Sequence, residues 1–205
     1  MTLWQIFRSG GITMYVLLLC SVFSIAIMIE RFIYYKKRTR VKREEFMEDL
    51  KPLLSKGFVP RALDLCEDTP CAVSSVAFAG LKSLDEGGLG IISAMERQII
   101  VETAKLERYT NFVGTIASTA VYIGLFGTVI GIIRAFHDIA TKGAGGIDVV
   151  INGISQALVC TAAGLLVAVP AVIAYNYFIK KINTIVMDME LCASEVRDIL
   201  THHKK

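Results

Sequence analysis

Two long stretches of this sequence, Asn111–Ile133 and Val149–Ile179, carry no charged side chain, and a third, Ser9–Ile29, precedes them. About 20 apolar residues suffice to cross a bilayer as a helix. Within the hydrocarbon only helices and closed barrels satisfy every backbone polar group. Strand signals are absent from the aqueous part, which shows no period-two runs with turn dipeptides. The expected fold is therefore an all-α membrane protein with three transmembrane helices at about 12–34, 111–136 and 149–179. Residues 1–11 precede the first span, with Trp4 and Phe7 either at the membrane interface or in a frayed start. The third span exceeds the length required, so tilt or protrusion is expected. Pro170 should bend it locally.

Charge placement orients these spans. Six Lys/Arg lie between Lys36 and Arg43, against Arg8 alone before the first span, and Lys180-Lys181 close the third. Positive charge accumulates on the cytoplasmic side, so the N-terminus is expected outside and the C-terminus inside. The first span lacks a small-residue cleavage site and is followed by basic residues, so it reads as a retained anchor. Charged residues are still 20% of the 205-residue chain, and they are segregated, which implies a sizeable aqueous part. A net charge of +3 is too small to argue for nucleic acid.

That aqueous part, 35–110, reads as helical. Phe46, Leu50, Leu53 and Leu54 give one face of a helix over 41–56 that Gly57 should stop. A second helix follows over 60–67. Thr69 is the expected N-cap of a third, 70–83, with Pro70 at its first position. From about 90 the pattern is expected to continue unbroken to 136, a helix about 70 Å long. Residues 137–148 should form an outer loop. The tail, 180–205, should be helical through Ile182, Ile185, Met189, Cys192, Val196 and Ile199.

Few residues invite chemistry. The five cysteines read as free thiols in a reducing compartment. The terminal His202 and His203 read as solvated. No phosphate loop, metal cluster or nucleophile with a base is evident, so an enzyme and a cofactor are not expected. The second and third spans hold no titratable carboxylate, amine or imidazole with which to relay protons. They hold hydroxyls and amides instead. Thr128 shares a face with Gly124 and Gly131, and Gly127–Gly131 is a small-xxx-small pair. Thr161 shares a face with Ala157, Gly164 and Ala168. Each Thr either bonds a carbonyl of its own helix or lines a pore; the spacing fits both.

The segments LERYTNFVGTIASTAVYIGLFGTVIGIIRAF and GISQALVCTAAGLLVAVPAVIAYNYF resemble the ExbB/TolQ/MotA proton-channel family. The opening, LWQIFRSGGITMYVLLLCSVFSIAIMIERF, looks more like ExbB than TolQ. The resemblance implies a homopentamer in the bacterial inner membrane, with a periplasmic N-terminus and the 137–148 loop also periplasmic. It implies ExbD/TolR-like single-span partners bearing a membrane Asp, and a TonB-like or TolA-like transducer driven by proton flow. By match to the family motif, Thr128 and Thr161 line the pore and Gln156 lies on the proton pathway. Gly124, Gly127, Gly131, Gly164 and Pro170 then pack the helices around it. Three spans rather than the four of MotA-type stators argue against a flagellar role. Two residues depart from the pattern: Gln156 stands where the family usually has Glu, and Val121 where it usually has Pro. The alternatives are a TolQ-like role in envelope maintenance and a non-conducting scaffold for a single-span partner.

Overall fold

A computed structural model of the chain describes residues 11–142 and 147–202. The expected interfacial Trp4 and Phe7, the Gly143–Gly146 stretch and the end from His203 lie outside them. The described residues form seven α-helices: α1 Gly11–Arg38, α2 Arg43–Ser55, α3 Val59–Asp68, α4 Ala72–Lys82, α5 Gly87–Glu107, α6 Thr110–Lys142 and α7 Ile147–His202. A 3₁₀ turn, Leu84–Glu86, separates α4 from α5. Helices α1, α6 and α7 each contain a window long and apolar enough to cross a membrane. The chain divides into two compact units, Met1–Ile29 with Tyr109–Tyr177, and Glu30–Arg108 with Phe178–Lys205.

In the first unit, contacts between α6 and α7 pair residues that ascend on one helix and descend on the other. Gly114 meets Tyr175, Gly124 meets Gly164, Gly127 meets Cys160 and Gly131 meets Ala157. The two helices are thus antiparallel. Thr13 on α1 reaches both Gly127 and Cys160. Leu17, Val113, Ile116, Ala117, Ala120, Ala168 and Ala171 form the buried cluster of this unit.

The second unit is a helical assembly with a core of its own. Phe46, Met47, Leu50 and Leu54 of α2 are buried, as are Val73, Val76, Ala77 and Leu81 of α4 and Ile182, Ile185, Met189, Cys192 and Val196 of α7. Full burial of side chains this large contributes roughly 1.5–3 kcal/mol each. Gly57, at φ +71°, ends the turn after α2, as its position suggested. On α7, Glu195 holds Arg43 and lies 2.7 Å from Lys51, while the Cys192 thiol donates to the Met47 sulfur at 3.6 Å.

Three sequence expectations need correction. The N-cap of α4 is Cys71, not Thr69. The Cys71 sulfur accepts the Ser74 N–H at 3.3 Å, and the Ser74 hydroxyl accepts the Cys71 N–H at 3.3 Å. This reciprocal capping box leaves Pro70 outside the helix. The expected outer loop 137–148 is mostly helix, because no helix-breaking residue stops α6 before Gly143. The helix expected to run unbroken from 90 to 136 is broken at Arg108–Tyr109. Tyr109 has φ +64°, and the last carbonyls of α5 find side-chain donors. Arg31 Nη1 donates to the Lys105 carbonyl at 3.1 Å, and the Tyr35 hydroxyl donates to the Leu106 carbonyl at 2.9 Å. Helix-end carbonyls lack intrahelical partners, and here residues of α1 supply them. The Tyr35 ring also packs edge-on against Phe178, with centroids 5.4 Å apart.

Beside that end lies the buried carboxylate of Glu102, 1% exposed. It pairs with Arg38, with Lys105 at 2.8 Å and with Gln98 at 3.3 Å. Removing one partner of a buried pair strands the other's charge and costs about 3–5 kcal/mol. Glu102→Gln is expected to destabilise the chain on that scale, seen as a lowered midpoint of thermal unfolding in detergent.

Candidate functional site: a helix seam and the cavity at its end

The seam between α6 and α7 is made of small residues because lipid gives apolar helices no hydrophobic drive to associate. Close van der Waals contact must serve instead, and that needs small side chains. A Cβ at Gly124 would lie 2.7 Å from the Cys160 carbonyl oxygen and 3.1 Å from the Gly164 Cα. One at Gly164 would lie 2.7 Å from the Ala120 carbonyl oxygen. These glycines are in backbone-to-backbone contact. Gly131 lies against the methyl and backbone of Ala157, and Gly127 against the side chains of Cys160 and Thr13.

Both threonines lie at this seam. Thr128, 7% exposed, donates its hydroxyl to the Leu125 carbonyl at 2.6 Å. Thr161 Oγ1 lies 3.5 Å from the Gly124 carbonyl oxygen, across from α7 to α6. Two hydroxyls from different helices therefore approach adjacent carbonyls of α6, and Gly124 lacks the side chain that would shield its own. Pro170 is exposed, further along α7 and apart from this pair. Val121 is half-buried and packs on the Leu17–Ala171 cluster, and it keeps the backbone N–H that a Pro would lack.

Gln156 belongs to a different feature. At the end of the seam a cavity of about 340 Å³ opens between α1, α6 and α7. Its polar lining is Thr13, Arg134, Asp138, Asn152, Gln156 and Cys160. Thr13 and Cys160 are buried, with Oγ1 and Sγ 3.7 Å apart. Sequence reasoning ended the second span at about 136 and placed Asp138 in the loop that follows. The available signal was the i,i+4 spacing of Arg134 and Asp138, which shares one helix face once α6 continues to Lys142. Among the described residues no group of three or more His, Cys, Asp or Glu is placed to hold a metal.

Outside the spans, in the second unit, the thiols are chemically quiet. Burial, with Cys71 nearby, pushes the Cys66 thiol up to about 12. Burial, with Cys66 and Glu195 adding, pushes Cys192 up to about 12. The thiolate is the reactive form, so both are expected to resist a thiol reagent at pH 8 in the folded protein. Both should label once the chain is denatured, which a mass-spectrometric count would read.

Residues 72–191, more than half of the chain, match the MotA/TolQ/ExbB proton channel family. The chain is 41% identical over 116 residues to the Tol-Pal system protein TolQ of Pseudomonas aeruginosa, covering 57% of this chain and 49% of TolQ. It is 35% identical over 105 residues to the biopolymer transport protein ExbB of Xanthomonas campestris pv. campestris, covering 51% of this chain and 42% of that protein. Against ExbB of Salmonella typhimurium the identity is 28% over 201 residues, covering 90% of this chain and 80% of that ExbB. The TolQ match spans about half of the relative's own length.

The seam makes a prediction independent of function. Gly124→Ala or Gly164→Ala forces a methyl against backbone that cannot move aside, and overpacking of this kind costs about 1–3 kcal/mol. Gly88→Ala, with nothing within 4 Å, should cost nothing. Thermal unfolding in one detergent compares the three.

Proposed function

As the chain belongs to the MotA/TolQ/ExbB proton channel family, we propose that it is the channel subunit of an inner-membrane complex that converts proton flow into movement. The supporting observation is that the Thr128 and Thr161 hydroxyls reach adjacent carbonyls of α6, those of Leu125 and Gly124, at the seam of two charge-free spans. These walls hold no carboxylate between Asn111 and Ile133 or between Val149 and Ile179. The spans therefore offer polar, uncharged groups and no proton-holding carboxylate of their own. A single-span partner of the ExbD/TolR type, bearing one membrane Asp, completes the pathway. Several copies of the chain, five by family resemblance, surround that partner. One proton crossing 100 mV releases about 2.3 kcal/mol, so several transfers drive each mechanical step, which passes to a TonB-like or TolA-like protein. The chain acts as a channel wall and not as an enzyme.

Both an ExbB-like and a TolQ-like role fit. The opening segment favours ExbB, while the 41% identity to TolQ over 116 residues favours TolQ. Expression in strains lacking one or the other separates them: restored iron-siderophore uptake marks the first, restored detergent resistance the second.

The channel reading is tested in proteoliposomes holding the chain with an ExbD/TolR-type partner from the same genome. Thr128→Val and Thr161→Val are each expected to lower proton flux at least about tenfold, the equivalent of about 1.36 kcal/mol in a barrier. Recovery of the complex should be unchanged. Unchanged flux in both variants would remove these residues from the pathway, and a wild-type complex that passes no protons would favour the scaffold.

A further inference from the structure

Asn111–Ile133 and Val149–Ile179 lack a carboxylate, but the cavity at the end of the seam is lined by Asp138. We infer that Asp138 is the proton-accepting group at the outer mouth of this chain's pathway, doing from α6 what Gln156 cannot do from α7. This rests on the channel reading above.

Gln156 and Asp138 line the same cavity from opposing helices. A Gln amide neither takes up nor releases a proton near neutral pH, though it orients water well. A carboxylate at position 156 and one at 138 would therefore serve the same cavity. At about 340 Å³ and about 30 Å³ per molecule, the cavity has room for roughly ten waters. Thr13, Asn152 and Gln156 offer those waters hydroxyl and amide partners. Toward the seam the lining ends at Ala157 and Cys160, and Thr161 follows directly on α7. The lining thus runs from Asp138 to Gly127 and Cys160, the residues that precede Thr128 and Thr161 in the chain.

Among the described residues, the other charged or titratable groups on the lining are Arg134 on α6 and Cys160 on α7, while α1 contributes Ile12 and Thr13. Arg134, one turn from Asp138, offsets the carboxylate's charge. A metal cation therefore finds little net attraction there, whereas a proton binds the carboxylate covalently. In the step itself, a carboxylate oxygen of Asp138 takes a proton from hydronium outside and forms an O–H bond. It then passes that proton to a cavity water and returns to the carboxylate. The chain is left unchanged and one proton has moved inward.

The test uses the same proteoliposomes and partner, with flux measured under a fixed pH gradient. Asp138→Asn keeps the shape and removes the titrating group, and flux is expected to fall at least about tenfold. Adding Gln156→Glu to Asp138→Asn is expected to restore most of it, because a carboxylate returns to the same cavity. A merely structural role for Asp138 would not be repaired from another helix. Wild-type flux in Asp138→Asn overturns the inference, as does a loss that Gln156→Glu leaves unrepaired while the complex still assembles. Both results leave the channel reading standing. A wild-type complex without flux sinks that reading and this inference together.

Discussion

The contact between Gly124 and Gly164 is the constraint on which the first unit depends. Apolar helices in lipid gain little by touching through large side chains, since lipid tails offer the same surroundings. Removing the side chains brings backbone within reach of backbone, where many weak contacts act together. Each neighbouring pair then inherits the antiparallel register, from Gly114 with Tyr175 to Gly131 with Ala157. The register places Thr161 over the exposed Gly124 carbonyl. It also sets Cys160 beside Thr13, which ties α1 to the seam. The hydroxyl pair is thus a product of glycine packing as much as of the threonines themselves.

The second unit is held by different physics. It has an apolar core of ordinary aqueous character, with ion pairs at its margins. Arg43 lies 3.1 Å from Glu44 and also reaches Glu195, while Lys51 shares the Glu195 carboxylate. The most buried charge, Glu102, has three partners rather than one. Several hydrogen bonds to one buried carboxylate offset the cost of taking it out of water.

Much of this was legible in the sequence, for identifiable reasons. The three spans follow from length and hydropathy, which need no tertiary information. Gly57 and the helical face of Phe46, Leu50 and Leu54 follow from local periodicity and backbone freedom. The errors fall where a distant partner decides. The break at Tyr109 depends on Arg31 and Tyr35, more than seventy residues away in the chain. The cap of α4 depends on a thiol acting as acceptor, a role that propensity rules give to Ser, Thr, Asp and Asn. The candidate site divides the same way. Thr128 and Thr161 stand out by motif, but the cavity joining Gln156 to Asp138 appears only when three helices are placed together.

The break at Tyr109 has an electrostatic consequence. A helix gathers about half a negative charge at its C-terminal end. Had α5 and α6 been one rod, that pole would have lain at the far end of α6. Ending α5 at Glu107 puts it instead beside the Arg31 guanidinium, 3% exposed, whose near neighbours also include the Glu30 carboxylate at 2.5 Å and the Tyr34 ring at 4.7 Å. The interruption in the helix is therefore also a counter-charge, and it gives a buried cation a place to sit.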